Sequence, residues 1–204
     1  INNTYNKKNT ILMVGFNRRF SPLVKKIHDL LENKKSQKVF NYTINAGRID
    51  ENHWTQNRDL GGGRLLGEVC HFIDLLRYLA CSKIKGHSAF KINDKNGDNL
   101  IINMKFEDGS IGSIQYISNG SKSFQKERLE IFTDGQILQL NNFRTLKGYG
   151  WKNFNSMNLW KQDKGQKLCI RSFLKAIKNR SDSPIPYDEI LEVARVTIEI
   201  DNEI

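Results

Sequence analysis

The stretch Gly61-Gly62-Gly63-Arg64-Leu65-Leu66-Gly67-Glu68-Val69-Cys70-His71-Phe72-Ile73-Asp74 decides how this chain is read. Three glycines free the backbone from the usual φ restrictions, and an apolar helical pattern follows at once. On that helix Glu68, His71 and Asp74 stand at i, i+3 and i+6. Steps of three rotate by about −60° on an α-helix, so the three groups form one slanted stripe. Leu65, Leu66, Val69, Phe72, Ile73, Leu75, Leu76 and Leu79 surround it. A helix that is apolar on most sides is a buried one. Ionisable groups there are costly unless they are paired or used. An imidazole flanked by carboxylates suits proton transfer near neutral pH.

Outward from this helix the period changes to two. Residues 84–92, 100–106, 110–118, 128–132 and 136–140 read as strands, and residues 38–46 supply another upstream, with Val39, Tyr42 and Ile44 prominent. Asp108-Gly109 and Asp134-Gly135 are hairpin turns. This pattern predicts an antiparallel meander of five or six strands. Ser21-Pro22 reads as the N-cap and first position of a helix with an apolar stripe at Leu23, Ile27, Leu30 and Leu31. Residues 141–164 read as an irregular loop. Residues 166–180 read as an amphipathic helix with Leu168, Phe173, Leu174 and Ile177 inward, and residues 187–200 as a final helix after Pro184-Ile185-Pro186. The expected fold class is α+β, an open and mostly antiparallel sheet with helices packed on one face. The run Ile11-Leu12-Met13-Val14-Gly15-Phe16 looks like a strand covered on both faces, as in a parallel sheet. Nothing upstream offers it neighbours, so it reads as the last strand of something larger.

Bulk composition narrows the function classes. With 204 residues and 38% hydrophobic content the chain can bury one sizeable core. No apolar run approaches the roughly 18 residues of a membrane span, so no membrane partner is expected, and no signal peptide is visible. Three cysteines in no framework spacing read as reduced thiols of a cytoplasmic protein. No metal site is expected, because CxxC and HxxxH pairs are missing and Glu68-x-x-His71 has no second copy. The net charge is +10, but the lysines and arginines are scattered, with no basic helix face. That pattern speaks against a nucleic-acid partner and for a solvated surface that helps to attract an anionic ligand.

The layout resembles the Gfo/Idh/MocA family of glucose–fructose oxidoreductase and inositol dehydrogenase. The resemblance rests on Val14-Gly15-Phe16-Asn17-Arg18-Arg19-Phe20, on the three glycines followed by His71-Phe72-Ile73-Asp74, on the two Asp-Gly hairpins and on Pro184-Ile185-Pro186-Tyr187. The block from Gly67 to Asp74, with His53-Trp54 before it, is similar to a subgroup sometimes joined to a zinc-type alcohol dehydrogenase module. The resemblance implies an N-terminal Rossmann domain that binds NAD or NADP and a C-terminal α+β domain that shapes the site for a sugar-type substrate. It also implies a homodimer or tetramer built through the open sheet. Residues 1–20 would then be the remnant of the dinucleotide-binding domain, with 11–15 its last strand, and 21–204 the substrate-binding and oligomerisation domain. A Gly-x-Gly-x-x-Gly phosphate loop is absent from the sequence. The expected function is therefore the substrate-side domain of an NAD(P)-dependent oxidoreductase acting on a sugar, sugar nucleotide or cyclitol, inactive by itself. A non-catalytic scaffold of the same fold and a sugar hydrolase or lyase on this architecture remain open alternatives.

The resemblance also distributes roles. His71 is the candidate base or proton relay, and Glu68 orients it or binds a substrate hydroxyl. The family usually carries an aspartate where this chain has Gly67. Asn17 and Arg18 follow the presumed strand and are assigned to the cofactor edge, since ligands gather at the carboxyl ends of strands. Arg48, His53 and Trp54 are expected to line the sugar pocket. Asp74 is assigned to substrate binding, with a structural pairing to Arg77 as its other reading.

Overall fold

A computed structural model of the chain describes residues 5, 10–50, 53–56, 58–92 and 99–204. Its frame is a sheet of eight strands among the described residues. In chain order they are β1 (Val39–Asn45), β2 (Ile84–Lys91), β3 (Leu100–Phe106), β4 (Ile111–Ile117), β5 (Glu127–Thr133), β6 (Gln136–Asn141), β7 (Thr145–Tyr149) and β8 (Ser156–Asn158). Their spatial order is β2-β3-β4-β1-β5-β6-β7-β8. All neighbours are antiparallel except β1 and β4, which run parallel at the centre. The turn at Asp134-Gly135 has positive φ at both residues, 48° and 70°, as a type I′ hairpin requires.

Strict alternation makes one face of the sheet the core. Phe40, Tyr42 and Ile44 of β1 point inward with Ile102, Ile114 and Leu129 of its neighbours. Helices α1 (Pro22–Leu31), α2 (Cys70–Ala80), α3 (Gln166–Asn179) and α4 (Tyr187–Glu203) complete the domain. Helix α1 contributes Leu23, Val24, Ile27 and Leu31 to the core, and α4 contributes Ile190, Val193, Val196 and Ile200, both at helical spacing. On the other face of the sheet Val39, Ile101, Ile111 and Phe132 are 39–49% exposed.

Several local expectations change. The 141–164 region contains β7 and β8 rather than only loop. Each is short, and β7 turns only Leu146 fully inward, so no period of two is long enough to read. In α3 the buried residues are Cys169 and Ala176, whereas Leu174 and Ile177 are 58% and 46% exposed. The cause is backbone proximity. A Cβ on Gly165, the residue before α3, would lie 2.4 Å from the carbonyl oxygen of Asn17. Such close approach suits small side chains on the contact face. Residues 11–16 belong to no strand: the Phe16 amide donates to Val14 O at 2.8 Å and that of Asn17 to Gly15 O at 2.7 Å, tightening the chain into the 3-10 turn Asn17–Phe20. Ser21 stands before α1 as expected, but its hydroxyl donates to Asp163 O at 2.7 Å instead of capping the helix.

A buried ion cluster locks that 3-10 turn to the helices. Arg19 donates through Nε and Nη2 to Asp74 at 3.1 and 2.5 Å, and through Nη1 to Glu189 of α4 at 2.7 Å. Arg77 donates to Glu189 at 3.0 Å and to Glu192 at 3.3 Å. Replacing Arg19 by leucine strands the fully buried Asp74 carboxylate and leaves Glu189 with Arg77 alone. We expect Arg19→Leu to lower unfolding free energy by about 3–5 kcal/mol, read from urea unfolding followed by circular dichroism. An unchanged midpoint and slope would rule out this role.

Candidate functional site

The site forms where β1 ends. Ile44 faces Tyr116 on the β4 side and Glu127 on the β5 side, so two polar groups flank β1 on the core face. Glu127 occupies an inward position of β5, where alternation calls for an apolar residue. It is held by four donor contacts. Arg18 donates through Nε at 2.9 Å and Nη2 at 3.1 Å, the Tyr42 hydroxyl at 2.5 Å and the Lys164 ammonium at 2.6 Å. Burial works to raise the pKa of Glu127, but Arg18 and Lys164 outweigh it and hold the carboxyl at about 2. The Arg18 guanidinium also lies over the Phe72 ring at 4.6 Å.

On the β4 side stands Glu68. The helix opens with a π-turn, Leu65–Val69, before α2 begins. Such turns insert an extra residue and reorient side chains, frequently at functional sites. Here Glu68 accepts from the Tyr116 hydroxyl at 2.8 Å and from Arg64 Nε at 3.3 Å. Arg64 is anchored in turn by a 2.9 Å bond to Gly47 O.

His71 sits in the first turn of α2, half-buried, with its ring edge-on to Phe16 at 5.6 Å. Its Nδ1 is buried and has no hydrogen-bond partner among the described residues. Burial first, and then the positive charge of Arg18, lower its pKa to about 4, against the opposing pull of Glu127 and Glu68. The imidazole is therefore neutral at neutral pH. A neutral ring with an unused polar atom, beside fixed charges, can exchange a hydrogen bond or a proton with an entering molecule.

The structure brings Arg18, Glu68 and His71 to one end of the sheet and separates the other candidates. Asp74 is a correction. It is fully buried, with both oxygens taken by Arg19, so it cannot reach a substrate; burial raises its pKa to about 6 against the pull of Arg19. The structural alternative was right in kind, but its main partner is Arg19 rather than Arg77. Asn17 is half-buried and donates to Lys164 O at 2.7 Å. Arg48 is exposed after β1. His53 bonds Thr55 at 2.8 Å and tilts against Trp54, which is 62% exposed, so this pair stands out in the loop. Sequence reasoning missed Tyr42, Arg64, Tyr116, Glu127 and Lys164. For Glu127 a signal existed: in the alternation Glu127, Leu129, Ile131 a carboxylate shares the apolar face.

Comparison with known proteins fits this geometry. A family model described as the GFO/IDH/MocA C-terminal domain matches residues 24–138, more than half of the 204-residue chain. The chain belongs to the GFO/IDH/MocA C-terminal domain family. It is 22% identical over 180 residues to YceM of Salmonella typhimurium (strain LT2), named as an oxidoreductase, covering 86% of this chain and 55% of that protein. Among solved structures, a dehydrogenase (MviM) from Clostridium difficile is 24% identical with a TM-score of 0.77 over 99% of this chain and 65% of its own. Levoglucosan dehydrogenase in complex with NADH and levoglucosan superimposes with a TM-score of 0.81 at 18% identity, over 97% of this chain and 66% of its own. UDP-N-acetylglucosamine 3-dehydrogenase GnnA from Acidithiobacillus ferrooxidans gives 0.79 at 15% identity, over 99% and 64%. The chain thus spans just over half of the curated relative and about two thirds of these structures.

The depressed pKa of His71 is directly measurable. The folded value, about 4, lies below the ordinary 6.5, so the ring favours folding while it is neutral. That contribution is lost as pH falls through this window. In an NMR titration the His71 ring should have a midpoint near 4. A midpoint at the ordinary value would contradict the burial and charge environment described.

Proposed function

We propose that this chain is the substrate-side half of an NAD(P)-dependent dehydrogenase acting on a hydroxyl or keto group of a sugar, sugar nucleotide or cyclitol. The observation that carries the reading is the half-buried imidazole of His71, whose Nδ1 has no partner among the described residues, beside the Arg18–Glu127 pair in a chain of this family. The sugar and sugar-nucleotide substrates named for levoglucosan dehydrogenase and GnnA support the substrate class. When bound, NAD or NADP supplies the hydride acceptor. The sequence contains no Gly-x-Gly-x-x-Gly; in this reading the cofactor is held mainly by a nucleotide-binding half outside these residues, residues 11–15 become a strand only against that half, and the chain alone is inactive. The orphaned Nδ1 of His71 fits a site whose missing partner is a bound molecule.

Within this reading His71 takes the hydroxyl proton as the alcohol is oxidised, or relays it. Arg18 and Asn17 border the cofactor edge. Glu68, already bonded to Tyr116 and Arg64, fixes the wall beside the imidazole. Arg48, His53 and Trp54 close over the sugar from the loop. Gly67 stands where the family usually carries an aspartate. A Cβ there meets only Gly61 O at 3.8 Å, ordinary van der Waals contact, so the backbone leaves room for a side chain to begin.

In the complete gene product His71→Ala should lower kcat by about 10²–10⁴-fold, the range of general acid–base catalysis, and Gly67→Asp should also change turnover. If neither variant alters the rate, the helix has no catalytic role and the scaffold reading takes its place. We further propose that two copies pair through the exposed sheet face bearing Val39, Ile101, Ile111 and Phe132. Light scattering should then give a dimer or tetramer, and a monodisperse monomer would refute it.

A further inference from the structure

We propose that the end of β1 recognises an anionic oxygen group on the substrate, a carboxylate or a phosphate carried by a sugar, through Arg18 and Lys164. This rests on the reading of the site as substrate-binding and narrows it to charged sugars. The argument begins with the local charge. Two cations, Arg18 and Lys164, converge on one buried carboxylate, Glu127. Tyr42 is neutral, His71 is neutral at neutral pH, and Arg64 balances Glu68. Among these groups one positive charge is left over; the adjacent Asp163 spends its Oδ1 on the Gly165 amide. The neighbouring Arg19 cluster has the opposite imbalance: Asp74, Glu189 and Glu192 outnumber Arg19 and Arg77.

Unused donors accompany the charge. Arg18 spends Nε and Nη2 on Glu127 and also meets the Tyr42 hydroxyl; among the described residues no carboxylate is paired with Nη1. Among the described residues Lys164 makes one of the three hydrogen bonds open to an ammonium. Both side chains remain reachable, at 12% and 16% exposure. Glu127 carries a single negative charge, so the second cation adds desolvation cost without a further anion among these groups to meet it.

Lys164 is also held in place, unlike a mobile surface lysine. Asn17 Nδ2 donates to its carbonyl at 2.7 Å, and the neighbouring Gly165 amide donates to Asp163 Oδ1 at 2.8 Å. Gly165 packs so tightly on the 3-10 turn that no side chain fits there. A cation fixed in this way loses little freedom when an anion arrives, and charge-assisted hydrogen bonds are the stronger kind.

The test is calorimetric titration of the 204-residue chain at pH 7 with D-glucuronate, D-glucose 6-phosphate and uncharged D-glucose. At least one charged sugar should bind about tenfold or more tightly than glucose, a difference the strength of charge-assisted bonds allows. Which one does so identifies the anion as carboxylate or phosphate. Lys164→Met should abolish the preference. Lys164→Gln, which keeps a polar donor toward Glu127 but removes the charge, should do the same. Lys161→Met, at an exposed lysine nearby, should preserve it. Equal binding of the three sugars, no binding of any, or a preference that survives both Lys164 variants would overturn the proposal. The dehydrogenase reading fails separately, through turnover that persists in His71→Ala.

Discussion

Two adjacent guanidinium groups hold this domain together by parting company. Arg18 turns to Glu127 on the sheet, and Arg19 turns to Asp74 and Glu189 on two helices. Neither cation could be buried alone, since an unpaired charge inside a protein costs several kcal/mol even after relaxation. Each therefore requires its partner to be in place. Phe16 and Phe20 seal the same short turn from water, at 4% and 7% exposure. Four residues of 3-10 helix thus dictate where β5, α2 and α4 lie relative to one another, and the loop ahead of α3 closes over them through Gly165.

The site inherits its character from that arrangement. Because Arg18 is committed to Glu127, its charge stands at a fixed place beside α2 and repels a proton from His71. Because the helix begins with a π-turn, Glu68 leaves the stripe that a regular α-helix would give it and reaches Tyr116 across the sheet. The result is a neutral ring between two carboxylates that are both already engaged. Such preorganisation is what binding and proton transfer require of a surrounding shell.

Much of this was readable in the residues. The apolar alternation around Tyr42, Ile102 and Ile114 gives the sheet face, and the Asp-Gly pairs give its hairpins, because both signals are local. His71 and Glu68 were found because polar groups on a greasy helix are conspicuous. The rest depends on contacts that no local pattern encodes. Lys164 sits in a polar loop and acquires meaning only through Glu127, 37 positions away. Asp74 looked available on the helix stripe until Arg19, 55 positions earlier, took both its oxygens. The inward face of α3 was misread because close backbone packing favoured Cys169 and Ala176 over larger neighbours. The strands β7 and β8 owe their existence to the edge of β6, which their own short sequences do not announce.

The central position of the sheet belongs to the first of the eight described strands. Strand β1 finds one of its two partners only when β4 arrives, 72 positions later, and the pairing is parallel. During synthesis its greasy side therefore waits while a helix and two outer strands are made. Contacts of such long separation are slow to close and leave an unpaired, aggregation-prone edge in the meantime. Early collapse must rely on α1, which follows the 3-10 turn directly and carries its own apolar stripe. A ribosome-bound chain stopped before β4 would carry a half-built sheet, the kind of species that molecular chaperones bind.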